Sequence, residues 1–154
     1  MQEIRFHRPV GPWGWLSPRS PHAVRFDGRR WPTVEHGLLA GRFAADDPCR
    51  PTIAAASLAK ASRLAVRHRD RMRPDWIAVR DGVMFRAQLA KFAQHPHLGE
   101  RLLATGHGLL VHHAHGQRYW ADGGDGLGPN MLGCTLMAVR EELRRSRHPA
   151  TTAD

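Results

Sequence analysis

The residues best suited to chemistry lie in the run Tyr119-Trp120-Ala121-Asp122-Gly123-Gly124-Asp125-Gly126-Leu127-Gly128-Pro129-Asn130-Met131-Leu132-Gly133. A loop this rich in glycine lets backbone N–H groups approach a ligand without side-chain obstruction. Asn130 then opens an apolar-periodic helix, whose unsatisfied N–H donors and partial positive charge make a seat for phosphate. On this reading the amides around Gly124, Gly126 and Gly128 and the helix opened by Asn130 hold a phosphate, Trp120 offers a flat face to a base, and Asp122 places a carboxylate beside it. The bland alternative is a tight surface connection into a capped helix. A second cluster, Trp31-Pro32-Thr33-Val34-Glu35-His36, tips the balance. It puts a carboxylate and an imidazole in the first turn of a helix, with Leu39 and Arg42 on the Glu35 face at helical spacing. Alone, Glu35 reads as an acid favoured by the helix dipole.

Other constellations fall short. His113 and His115 share a face if their segment is a strand, and His112 is adjacent, but no further Cys, Asp or Glu completes a metal set. Asp122 and Asp125 do not follow calcium-loop spacing. Gly124-Asp-Gly126-Leu-Gly128 is not the dinucleotide fingerprint. No nucleophile elbow is present. The expectation is chemistry without metal or cofactor.

The elements that must position these groups are legible. Val24 to Trp31 alternates around Asp27-Gly28, a two-residue hairpin signal. Glu3 to Phe6 is a further short strand. Thr33 caps a helix. Thr52 to Arg67 is helical with a break near Ser57. Asp75 caps a long helix to about Gln94, with Trp76, Val79, Val83, Ala87 and Ala90 on its apolar stripe. Pro96 starts another helix that ends at Thr105-Gly106. Leu109 to Ala114 is a strand, with Arg118 to Trp120 as its partner. Met131 to about Arg145 is the last helix, burying Leu132, Leu136, Val139 and Leu143. The expectation is a mainly α (α+β) fold: one helix-rich domain over residues 1–145 with a small antiparallel sheet, then a disordered tail over 146–154.

The 154 residues, 42% of them apolar, suffice for one globular core. No apolar run approaches the ~18 residues of a membrane span, and Met1 is followed by no secretory h-region. Cys49 and Cys134 lack paired spacing, so free thiols and a cytoplasmic location are expected. The net charge of +9 raises nucleic acid as a partner beside a small-molecule nucleotide. Yet every basic residue except Lys60 and Lys91 is Arg, a bias that coding composition alone produces. No membrane partner is expected.

The blocks Gly11-Pro12-Trp13-Gly14, Asp27-Gly28, Trp31 to His36, Phe43, Arg73-Pro74-Asp75-Trp76, Val79-Arg80-Asp81, Met84, Lys91-Phe92, Leu103 to Gly106, Trp120, Asp122-Gly123, Gly126, Gly128, Asn130, Leu132-Gly133 and Met137 to Glu141 carry a resemblance. In order and spacing they resemble the NADAR (YbiA-like) family from about Phe6 to Leu143. The resemblance implies a mostly helical domain that hydrolyses N-glycosidic bonds. The substrates it implies are phosphoribosylated pyrimidine intermediates of riboflavin synthesis, or ADP-ribose attached to guanine. It also implies that Glu35 stabilises an oxocarbenium-like cation or activates water. Asp122 would then orient ribose or water, and Trp120 would stack on base or sugar. Asn130, the glycine amides, His36 and Arg42 are the remaining expected substrate contacts.

Departures from the family pattern are concentrated. Ser17-Pro18-Arg19 stands where Ser-Asn-Phe is usual. Gly37-Leu38-Leu39-Ala40-Gly41-Arg42-Phe43 replaces an aromatic pair followed by Gln, Ala, any residue, Lys and Phe. Leu39 is therefore expected to put an apolar side chain on the substrate-facing surface. Arg42 keeps the charge but cannot act as an amine nucleophile, because it stays protonated. Gln117 replaces an Asp and Ala121 a Gly. A divergent substrate, or a binding module with little turnover, is the expectation that follows.

Overall fold

A computed structural model of the chain describes residues 1–148. The expected hairpin forms: β2 (Val24–Phe26) pairs antiparallel with β3 (Arg29–Trp31). Asp27 and Gly28 turn it at φ +49° and +77°, positive at both central positions as a type I′ turn requires. The other sheet differs from expectation. Strand β1 (Glu3–Phe6) runs parallel to β4 (Leu109–His112), pairing Glu3 with Leu109 and Phe6 with His112. Arg118–Trp120 makes turns instead of a strand. The edge of β4 that those residues were expected to fill is taken by the Asn130 side chain, which accepts from His112 N–H at 2.8 Å and donates to the Leu110 carbonyl at 2.9 Å.

Helix α1 (Val34–Gly41) is capped by Thr33, whose hydroxyl accepts from His36 N–H. It lies so close to the hairpin that a Cβ at Gly37 would stand 2.4 Å from the Phe26 ring. That contact explains a helix-weakening residue within α1. Next, α2 (Cys49–Ala55) and α3 (Leu58–Arg67) are separated at Ser57, whose side chain caps α3 through Lys60 N–H. The long α4 (Trp76–Gln94) runs between α1 and α6. Packed on two sides, it buries Trp76, Val83, Met84, Ala87, Gln88, Lys91 and Phe92, a broader face than one stripe. Asp75 precedes it without capping, its carboxylate engaged by Arg73. Helix α5 (Pro96–Ala104) begins on its proline, and Thr105-Gly106 ends it.

Helix α6 (Met131–Arg147) packs on β4 with Leu132, Leu136 and Val139 buried. The fit is close enough that a Cβ at Gly133 would meet the Leu110 carbonyl oxygen at 2.1 Å. The helix runs two residues into the expected tail, where Arg147 pairs with Glu100 at 2.6 Å. Residues 149–154 of that tail lie outside the described residues. No described helix is long and apolar enough to cross a membrane. Cys49 is buried and Cys134 exposed, both as free thiols.

Candidate active site

A cavity of about 710 Å³ opens where β1, β4, α1, α4 and α6 converge, a volume ordinary for small-molecule sites. His7, Arg8 and Pro9 follow β1 into its rim. Ser17, Pro18 and Arg19 form one wall. Glu35, Leu38 and Arg42 rise from α1, with Met84 of α4 and Leu132 of α6 beneath. His112 and the segment Gln117–Trp120 close the far side.

Glu35 is the only carboxylate among these lining residues. Its backbone N–H donates to the Pro18 carbonyl at 2.9 Å, tying the start of α1 to the Ser17–Arg19 wall. Burial raises the pKa of its carboxyl, opposed by the charges of Arg19 and Arg42. A partly desolvated carboxylate near cations is suited to steadying a transient positive charge, because the surrounding low dielectric strengthens the interaction.

The rest of the cavity is cationic. Arg8, Arg19, Arg42 and Arg118 line it. Arg118 is held by Asp125 at 2.7 Å, while Arg8, Arg19 and Arg42 form no ion pair with a described carboxylate. The buried Nε of Arg42 has no hydrogen-bond partner among the described residues. A buried guanidinium donor left unmet costs stability, and an anionic ligand arriving here would satisfy it. Trp120 and Tyr119 meet edge to face with centroids 4.9 Å apart, giving the cavity an aromatic wall. Tyr119 is fixed by its hydroxyl donating to Asp81 and by the Arg80 guanidinium 3.4 Å from its ring centroid.

The glycine loop stands apart from the cavity. Gly124, Gly126 and Gly128 lie outside the cavity lining, and the loop is wound about Asp122. That carboxylate is buried; it takes the Nδ1 of His113 at 2.7 Å and the N–H groups of Gly124 and Ala114. Burial pushes the Asp122 carboxyl up, but these hydrogen bonds outweigh it and hold the group down at about 2. Asp122 thus serves to organise the loop behind Trp120 and does not line the cavity. Nor is the start of α6 free for an anion. Met131 and Leu132 N–H donate to the carbonyls of Tyr119 and Trp120, so the loop itself caps the helix. Asn130, in the left-handed region at φ +52°, joins α6 to β4 and is spent on that task.

His36 is likewise structural. It is buried, its Nδ1 paired with Thr33 Oγ1 at 2.8 Å and its Nε2 with the Ala56 carbonyl at 2.9 Å, pinning α1 to the α2–α3 junction. Leu39 points into the core, and Leu38 takes the cavity position. At ~100° per residue the third and seventh residues after Glu35 straddle the cavity direction, while the fourth swings toward the packed side. Pro18, Arg19, Arg42 and Gln117 do line the cavity, so four of the departures face whatever binds there.

Of the three clustered histidines, His113 turns to Asp122 and His115 is exposed, while His112 forms the cavity wall. Burial lowers the His112 pKa to about 4, so it is neutral near pH 7. Its ring stacks on Phe6 and its buried Nδ1 lacks a described partner. Among the described residues no group of three or more His, Cys, Asp or Glu side chains is placed to hold a metal. Sequence reasoning missed His7, Arg8, Leu38, Met84, Arg118 and Tyr119 as lining residues. Two of them had a signal: Tyr119 in its place beside Trp120, and Met84 among the residues that carry the family resemblance.

The NADAR domain model matches residues 5–144. The N-glycosidase YbiA of Escherichia coli K12 is 38% identical over 141 residues, covering 91% of this chain and 88% of that protein. An N-glycosidase of Nostoc punctiforme is 38% identical over 144 residues, covering 92% of each. A riboflavin biosynthesis protein of Vibrio vulnificus is 38% identical over 143 residues, which span 93% of this chain but 39% of that longer protein. The NMR structure of E. coli YbiA superimposes with a TM-score of 0.87 at 37% identity, covering 98% of this chain and 91% of the other.

Proposed function

The chain belongs to the NADAR family, and from that premise we propose that it hydrolyses the N-glycosidic bond of a phosphorylated ribosyl compound, with Glu35 as the catalytic carboxylate. The observation that carries this reading is a single half-buried carboxylate set among Arg8, Arg19 and Arg42, none of which forms an ion pair with a described carboxylate. A substrate with an anionic tail and a ribose C1–N bond fits that charge pattern: arginines take the phosphate, and Glu35 faces the cation that develops at C1 as the base departs. Water adds to C1, its oxygen stays on the ribose, and its proton leaves with the base. Trp120 and Tyr119 stack on the base or sugar.

The riboflavin-pathway names of the relatives favour a phosphoribosylated pyrimidine. A second reading, an ADP-ribosyl compound, is favoured by the number of arginines, since a diphosphate brings more negative charge to be met. A cytoplasmic location is part of the same proposal, supported by Cys49 and Cys134 standing as free thiols. The test is to incubate purified protein with a phosphoribosylaminopyrimidine and with ADP-ribosyl-guanosine, following free base and ribose phosphate. Release of base from either supports glycosidase action and selects the substrate. Binding of both without release would leave a nucleotide-binding module and overturn the reading.

A further inference from the structure

Lys91 is fully buried on α4 and lies outside the cavity. Its Nζ donates to three acceptors on one short segment: the Trp15 carbonyl at 2.7 Å, the Ser17 carbonyl at 3.0 Å and Ser20 Oγ at 2.7 Å. No described carboxylate pairs with it. An ammonium buried without a counter-ion is costly, and one apolar residue would join the same elements at less expense.

The segment Lys91 grips is the cavity wall. Ser17 and Pro18 are buried in that wall, Arg19 projects from it, and the Pro18 carbonyl receives the Glu35 N–H at 2.9 Å. The wall therefore hangs between two fixed points, the Lys91 amine on α4 and the Glu35 backbone on α1. We propose that Lys91 is a positioning residue for the site: by fixing Trp15, Ser17 and Ser20 it sets Arg19 and the backbone of Glu35 for reaction. The proposal rests on the glycosidase reading for its kinetic consequence, but not for its structural one.

Protonation enters because two of the three acceptors are carbonyls, which can only accept. The third donor exists only in the ammonium, and burial lowers its pKa to about 7. Ser20 Oγ also meets His22 Nδ1 at 3.0 Å. The His22 ring lies beside those of His95 and His97, and together with Arg101 these are the charged and titratable groups on this side of Lys91. All are cationic when protonated, so none offsets the charge.

The experiment compares wild type with Lys91→Met, Ser20→Ala and Glu35→Gln. It measures amide-exchange protection at Glu35 and the pH dependence of kcat on the phosphoribosylated pyrimidine. Lys91→Met is expected to cut Glu35 amide protection and to lower kcat at least tenfold, with a smaller change in KM. Wild-type kcat is expected to fall as pH rises through about 7. Removing one acceptor of the ammonium in Ser20→Ala should move that alkaline limb to lower pH, an outcome that simple packing does not produce. Wild-type protection at Glu35 in Lys91→Met overturns the proposal, as does unchanged kcat there while Glu35→Gln is inactive. Should Lys91→Met fail to fold, an alkaline limb that Ser20→Ala leaves in place overturns it. If instead Glu35→Gln keeps full turnover, the glycosidase mechanism fails, and the amide protection still decides whether Lys91 sets the wall.

Discussion

Asn130 holds His112 from the side that a neighbouring strand would occupy, its Oδ1 taking the His112 N–H at 2.8 Å while its amide serves the Leu110 carbonyl. One side chain thus does the work of a strand partner and ties the α6 start to the cavity wall. Replacing Asn130 by Ala leaves a backbone donor and acceptor without partners, each worth ~1–3 kcal/mol when buried. The expected result is a loss of about 2–4 kcal/mol in urea denaturation. Because Asn130 does not line the cavity, the fraction that remains folded should bind substrate with wild-type KM. A KM raised tenfold in a fully folded variant would return Asn130 to the binding residues.

Glu35→Gln is expected to lower kcat by ~10²–10⁴, the range typical of losing an electrostatic or proton-transfer group. It should also raise stability at neutral pH. Burial raises the folded-state pKa of Glu35, so the native state binds its proton more tightly than the unfolded chain does. Stability from this group is complete below the unfolded pKa and is lost as pH climbs through the folded one. The amide has no such charge to bury. Thermal melts of both proteins at pH 4 and pH 7.5 check the sign: the variant's advantage must grow with pH.

Asp122→Asn tests the opposite sign. Held down at about 2 by its hydrogen bonds, Asp122 contributes stability that is present above the unfolded carboxylate value and lost as pH falls toward 2. The variant is expected to lose ~1.5–3 kcal/mol at pH 7, the usual worth of hydrogen bonds to a charge, and to flatten the acid limb of the denaturation profile. Residual kcat above a tenth of wild type in the folded variant is expected, since the carboxylate lies behind Trp120. Complete inactivation with unchanged stability would restore a direct role in chemistry.

Leu38 and Leu39 make a sharper pair. Gln at 39 buries an amide in the core, costing ~2 kcal/mol or more, with little change in substrate preference. At 38 the amide reaches the cavity, and kcat/KM for the phosphoribosylated pyrimidine should change at least threefold in either direction. The comparison fails if the two variants lose stability equally and share one substrate profile.

The hairpin at Asp27-Gly28, the break at Ser57 and the proline start of α5 were legible because each is a local rule acting on adjacent residues. Glu35 and Trp120 were legible as cavity residues through kinship and residue type together. Three of the expected site features stand outside the cavity lining for a common physical reason. Asp122, Asn130 and the glycine loop have the composition of a ligand site, but their donors and acceptors are consumed by one another and by β4. Composition lists what a loop can offer, whereas only folding decides which partner arrives first. Leu39 was misplaced by one helical position, because one turn of amphipathic spacing cannot tell a cavity from a core lying some 100° apart on the same helix. Arg8 and His7 carried no signal at all, because parallel pairing of distant strands brings them to the rim.

That pairing has a consequence in time. Glu3 lies opposite Leu109, so β1 must wait until most of the chain has left the ribosome before it finds its neighbour. Contacts this distant in sequence form late, since loop closure must precede any gain from them. His7 and Arg8 on one side and His112 on the other meet only with that closure. The rim of the cavity therefore stays incomplete until β1 and β4, more than a hundred residues apart in the chain, are joined.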